Sequence, residues 1–198
     1  AMGDLILVVP SLRMLKERFP DAAITLLVDR KLAPIVSACP YLDDMILVAR
    51  KKLSNVFYLL RTARRVRREG FDMSVDLHNN KWTHLLGYLG GAVQRFGFER
   101  GKWGWLLNRP DRTFEVGDSP LRHQFRVLYK AGVIKFDDTL ELWPKHESLE
   151  KASRMIGALE PQESTRIIVF VMGSSPNWTS KRWPAEHFVA LAKRLFEK

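Results

Sequence analysis

The chain has 198 residues, 46% hydrophobic and 27% charged, which is enough to bury a sizeable core and excludes disordered and collagen-like classes. No apolar run exceeds six residues, far below the roughly 18–20 of a membrane-spanning helix; with no leader pattern and a lone Cys39, a reducing, cytoplasmic setting is expected. Lys and Arg number 32 against 22 Asp and Glu, and the resulting +10 favours anionic partners: nucleic acid, phosphorylated sugars, nucleotide phosphates or an acidic membrane face.

The amino end is ambiguous. Residues 5–9 have strand composition, yet Leu5, Val8, Val9, Leu12, Leu15 and Phe19 also fit one face of a helix, and Pro10 is acceptable only near a first turn. Periodicity leaves both readings open. Beyond it, short apolar runs alternate with helical patterns, the signature of βαβ units and a mostly parallel sheet. Residues 23–28 (AITLLV), 45–48 (MILV) and 73–77 (MSVDL) read as strands, and 94–98 is a weaker one. A helix is expected over 54–69, with Val56, Leu59, Leu60, Ala63 and Val66 inward and Gly70 ending it. Arg61, Arg64, Arg65 and Arg68 fall on its other side, after Arg50, Lys51 and Lys52. Ser119-Pro120 starts a further helix with Leu121, Phe125 and Leu128 on one face. Residues 146–159 form another.

The polar stretch 160–164 (EPQES) reads as a linker between a domain over 1–160 and a second beginning at 165. Residues 166–172 (RIIVFVM) then read as a buried strand. The loop 173–181 follows, and a helix from Pro184 carries Phe188, Leu191, Ala192 and Leu195 on one face. One strand-loop-helix unit cannot bury its own faces, so this second domain is incomplete over the residues given.

Between that strand and that helix, Ser174, Ser175, Asn177 and Lys181 stand where α/β folds bind phosphate. Free backbone N–H groups and the positive helix end meet an anion there, and lysine adds a full charge. The Walker pattern is absent, which argues against ATP hydrolysis. Near the start, Gly3-Asp4 offers a carboxylate able to take a proton from an acceptor hydroxyl, although an aspartate there is more often a helix cap. His78 and Asn79 end a strand, the edge at which open α/β sheets place ligands, and Arg122 and His123 lie near a helix start. Trp103 and Trp105, beside Arg100 and Lys102, make an aromatic-basic patch suited to sugar stacking or to a core. No cysteine cluster or His/Asp/Glu spacing suggests a metal.

Gly3-Asp4 with Pro10 and Leu12, then Phe19-Pro20-Asp21, residues 24–28, and later Lys181-Arg182-Trp183-Pro184 with Phe188 and Leu191 resemble glycosyltransferase family 9, the ADP-heptose:lipopolysaccharide heptosyltransferases. The resemblance implies a GT-B architecture: a Rossmann-like amino-terminal domain for the acceptor and a second Rossmann-like domain for ADP-heptose. It further implies an inverting, metal-independent displacement without a cofactor, in which Asp4 is the general base and Lys181 holds the donor diphosphate. Gly3, Arg64, Arg65, His78, Asn79, Arg122 and His123 then become candidate contacts to a phosphorylated inner-core acceptor, with an anionic membrane surface beneath the arginine-rich helix and no nucleic acid. Two departures stand out. The family's strand before Gly-Asp is missing, and so is its carboxy-terminal glycine- and hydroxyl-rich ADP motif, so the 198 residues alone are expected not to transfer sugar. Other readings are a nucleotide-dependent oxidoreductase or epimerase, disfavoured by the lack of a G-x-G-x-x-G fingerprint, and a non-catalytic basic binding module.

Overall fold

The computed structural model describes residues 2–99, 103–113, 117–160, 162, 166–173 and 182–196. The chain divides into two compact units, 1–145 and 146–198, a division that falls ahead of the helix expected over 146–159.

At the amino end the helical reading wins. A short helix α1 (Met2–Ile6) leads into α2 (Val9–Arg18), which buries Val9, Leu12 and Met14 together with Leu5 of α1. Pro10 sits in the first turn of α2, where its missing N–H is not needed by the helix.

Two parallel sheets follow. Strand β1 (Thr25–Asp29) pairs with β2 (Asp44–Val48), Thr25 opposite Asp44 and Asp29 opposite Val48. Strands β3 (Met73–Asp76), β4 (Gln94–Phe98) and β5 (Arg109–Asp111) form the second sheet in that order. Parallel pairing requires crossover segments: α4 (Lys81–Leu89) supplies the one between β3 and β4, while α3 (Val56–Arg68) carries the chain from the first sheet to the second. Among the described residues β1 and β3 each keep one edge without a strand partner. The α/β parallel-sheet class expected from the sequence is therefore present.

Helix α3 turns Leu59, Thr62, Ala63 and Val66 inward. Leu27 of β1 packs against the cluster around Leu59 and Leu86 and also against the one around Ile46, Val48 and Val66. At about 1.5–3 kcal/mol per buried aliphatic side chain, this seam is a main source of cohesion. Val56 and Leu60, expected on the same stripe, are instead 61% and 51% exposed. The three-and-four spacing covers a wider arc than the neighbouring strands can shield.

The last helix of this unit, α5 (Pro120–Lys130), starts where Ser119 Oγ accepts the Arg122 N–H at 3.2 Å. Its fully buried Val127 and Leu128 pack against Phe96 and Phe98 of β4 on one side and Met14 of α2 on the other. Ser11 of α2 donates to Gln124 Oε1 of α5 at 2.9 Å, a buried hydrogen bond joining the two helices. After α5 the chain returns across α2, held by Arg13, whose guanidinium meets Asp137 at 2.9 Å and Glu141 at 2.5 Å.

The second unit contains α6 (His146–Gly157) and α7 (Ala185–Phe196). Phe188 of α7 contacts the rings of Phe170 and Trp183 at 5.6 and 4.8 Å. Residues 166–172, expected as a buried strand, are unpaired, with Val169 and Val171 78% and 83% exposed. The physical reason is local: a strand needs a neighbour for its N–H and C=O groups, and the described residues of this unit contain none.

Candidate active site

Asp4, Leu7, Leu77, His78, Pro120, His123 and Gln124 line one hollow of about 280 Å³. Three elements meet there: α1 brings Asp4, the loop leaving the carboxyl end of β3 brings His78, and the first turn of α5 brings His123. Carboxyl ends of parallel strands are where open α/β sheets place ligands, because loops diverge there and leave a crevice.

The loop after β3 is tightly held. Asp76 Oδ1 accepts the N–H groups of His78 at 2.8 Å and Asn79 at 3.1 Å. Asn79 takes a left-handed φ of 51°, a conformation asparagine tolerates better than most residues. Asn80 then caps α4 by accepting the Trp82 N–H at 3.0 Å. On the opposite wall the His123 ring lies flat on Phe98, 3.9 Å between centroids and 4° from parallel, which fixes the imidazole plane.

Electrostatics in the hollow are mixed. His78 has its pKa lowered, first by the loss of water around its ring and next by the positive charge of Arg50, while Asp76 and Asp4 pull the other way. It is thus kept in the neutral form near pH 7, able to accept or donate one hydrogen bond without adding charge. The hollow combines a carboxylate with two imidazoles, a set suited to binding a polyhydroxylated ligand and taking a proton from one hydroxyl.

Of the residues singled out in the sequence, the structure brings Asp4, His78 and His123 together. Gly3 precedes Asp4 on α1, and Asn79 adjoins His78. Arg122 is exposed, with its guanidinium 5.2 Å from the centroid of the Phe136 ring. Arg64 and Arg65 are exposed on the outer side of α3 and do not line the hollow. Ser174, Ser175, Asn177 and Lys181 lie outside the described residues, as do Arg100 and Lys102. Trp103 contacts Trp82 edge to face, 5.9 Å between centroids. Among the described residues no three His, Cys, Asp or Glu side chains gather to hold a metal.

Sequence reasoning missed Gln124, Pro120, Leu7 and Leu77 as lining residues. It also passed over the site-facing charge of Arg50 and the anchoring role of Asp76. Asp76 had a legible signal: an aspartate closing a strand two residues before a candidate histidine is a frequent start of a side-chain-capped turn.

The family description "Glycosyltransferase family 9 (heptosyltransferase)" matches residues 59–198. Lipopolysaccharide heptosyltransferase 2 of Salmonella typhimurium is 23% identical over the whole chain, and that of Escherichia coli 22%. The chain spans 58% of the length of each. Among solved structures, a family 9 glycosyl transferase from Veillonella parvula superposes with a TM-score of 0.82 at 25% identity, covering 98% of this chain and 57% of that one. The E. coli ADP-heptose lipopolysaccharide heptosyltransferase II matches with a TM-score of 0.67 at 20% identity, covering 99% of this chain and 59% of its own. An E. coli heptosyltransferase solved with ADP-2-deoxy-2-fluoro heptose gives 0.64 at 16%, covering 98% and 62%. With 140 of its 198 residues inside the family match and its fold shared with family structures, the chain belongs to glycosyltransferase family 9.

Proposed function

We propose that this chain provides the acceptor side of an inverting transfer of heptose from ADP-heptose to the phosphorylated inner core of lipopolysaccharide. The observation that carries the reading is the hollow in which Asp4, His78 and His123 meet at the carboxyl end of β3, in a chain of this family. In the proposed step the acceptor hydroxyl oxygen attacks the anomeric carbon and its proton passes to the Asp4 carboxylate. The bond from the anomeric carbon to ADP breaks, and ADP leaves with the electron pair. Lys181, with Ser174, Ser175 and Asn177, is assigned to the diphosphate, whose growing negative charge a lysine stabilises most in the transition state. No cofactor enters this scheme. Neutral His78 and the stacked His123 ring would orient the sugar hydroxyls, while Gly3 and Asn79 border them.

Titration of the 198-residue chain with an inner-core oligosaccharide, read by the ring resonances of its histidines, tests the acceptor assignment. Shifts at His78 and His123, but not at His146 or His187, support it. Shifts at none of them, or only at the last two, contradict it.

The same reading places the acceptor's lipid at an anionic membrane face on the cytoplasmic side, and α3 offers a surface for it. Phe57, 85% exposed, shares its outward side with Arg61, Arg64 and Arg68, and Val56 and Leu60 flank it. An exposed aromatic ringed by cations suits the boundary between headgroups and acyl chains, with about 1 kcal/mol from each basic residue near the surface. None of the described helices is long and apolar enough to cross a membrane. Co-sedimentation with phosphatidylglycerol vesicles, lost at high salt and weakened by Phe57→Ser, is the expected result; equal binding to neutral vesicles would refute it.

A further inference from the structure

His84 on α4 has no recognised part in the site, yet it is the least ordinary side chain near it. Its imidazole is completely buried, and Nε2 lies 3.3 Å from Oδ2 of Asp76, whose side chain is 10% exposed. Neither nitrogen of His84 nor Asp76 Oδ2 makes a hydrogen bond of good geometry, so the 3.3 Å approach is a close polar contact that a small rotation of either side chain would align. A buried imidazole N–H without an acceptor is costly. Among the described residues the acceptor within reach is this carboxylate oxygen, so the ring proton belongs on Nε2, facing it.

The other oxygen of the same carboxylate holds the backbone of the loop. Asp76 Oδ1 receives the N–H groups of both His78 and Asn79, and His78 lines the hollow. A carboxylate can serve both N–H groups only while its plane is fixed, because rotation about its terminal bond carries Oδ1 away from them.

We propose that His84 is a positioning residue. By engaging Asp76 Oδ2 from α4, it fixes the carboxylate whose second oxygen sets the His78–Asn79 loop against the acceptor. The consequence for binding rests on the acceptor assignment above; the consequence for the loop does not. His84 touches no ligand in this account, and it acts through Asp76 alone. Burial serves that task, since solvent competing for Oδ2 would loosen the contact.

The first test needs no substitution. Nitrogen-15 shifts of the His84 ring in the 198-residue chain report its tautomer, and a proton on Nε2 is expected. A proton on Nδ1 would overturn the proposal. The second compares amide hydrogen exchange at His78 and Asn79 in wild type, His84→Leu and His84→Gln, with the Gly90 amide at the end of α4 as an internal reference for folding. His84→Leu removes the donor and is expected to speed exchange at His78 and Asn79 by about tenfold with Gly90 unchanged. His84→Gln, which keeps an N–H donor, is expected to restore much of the protection. Unchanged exchange at His78 and Asn79 in His84→Leu overturns the proposal. Should His84→Leu fail to fold, Asp76→Asn serves in its place, because its remaining oxygen can still hold the loop; loss of the Nε2–H preference at His84 is then expected, and retention of it refutes the coupling. Faster loop exchange with inner-core oligosaccharide binding unaltered would keep the positioning role and count against the acceptor assignment.

Discussion

Replacing Ser11 by alanine tests whether the α2–α5 contact behind the hollow is energetically coupled. Ser11 is 1% exposed and Gln124 9%, and the hydroxyl donates to Gln124 Oε1 at 2.9 Å. Alanine removes the donor and leaves a buried amide oxygen unsatisfied, which costs about 1–3 kcal/mol. Gln124 also borders the hollow, so water can reach part of its amide, and the lower end, about 1–1.5 kcal/mol, is expected. For a chain of this size that lowers Tm by about 2–6 °C. Gln124→Leu removes the acceptor in a side chain of similar volume, and the Ser11 hydroxyl can then turn to its own helix carbonyl. The double variant should therefore lose less than the two single losses added, by about 1 kcal/mol. Denaturant or thermal unfolding of wild type, both single variants and the double variant measures this. Additive losses within about 0.5 kcal/mol would refute the coupling, and an unchanged Tm for Ser11→Ala would refute the burial argument itself.

Acidification should act through His78. Its pKa in the folded chain lies below its ordinary value, chiefly because its ring has lost water and next because Arg50 is near. The unfolded chain therefore takes up the proton first as pH falls, so stability is intact above about pH 6.5 and declines below it. His78→Gln should show a smaller loss of unfolding midpoint between about pH 7 and pH 5 than wild type; parallel losses would contradict the assignment. Gly104 admits no side chain: a Cβ there would stand 2.2 Å from the carbonyl oxygen of Glu99. Gly104→Ala should cost about 1–3 kcal/mol by calorimetry, and a wild-type Tm would refute the close approach. Cys39 is buried, and burial raises its thiol pKa. Its reaction with a disulfide reagent should be slow in the folded chain and rapid in denaturant, whereas equal rates would contradict that burial.

Much of the fold was legible because apolar runs bounded by breakers mark strands: β1, β2 and β3 fall on such runs, while β4, Gln-Arg-Phe-Gly-Phe, carried a weaker pattern. Helix α5 carried its Ser119 cap and α3 its Gly70 stop, and of the stripe expected on α3 Leu59, Ala63 and Val66 turn inward while Val56 and Leu60 do not. The amino end was not decidable, since residues 5–9 have strand composition while Leu5, Val8, Val9 and Leu12 keep helical spacing, and only burial against β1 and α5 chooses the helix. Strand β5, an Arg-Pro-Asp run, has no apolar signal; it exists because β4 offers it an edge, where proline is tolerated. Helix α4 was readable in retrospect, with Asn80 as cap and Trp82, Leu85, Leu86 and Leu89 at helical spacing. Residues 166–172 show the reverse: their composition says strand, but the neighbour that would make them one is not among the described residues. At the site, chemistry-bearing side chains could be nominated singly. Their convergence depends on which elements flank the carboxyl end of β3, which no local pattern encodes, and the His84–Asp76 contact depends on a helix the pattern had not revealed.

The central claim is that Asp4 accepts the proton of the attacking hydroxyl. Steady-state ADP release from ADP-heptose in the presence of an inner-core acceptor, measured on the protein expressed from its complete gene, tests it with Asp4→Asn. The account predicts a fall in kcat of about 10²–10⁴-fold with little change in KM for the acceptor. An unchanged kcat, or a loss confined to KM, would contradict it.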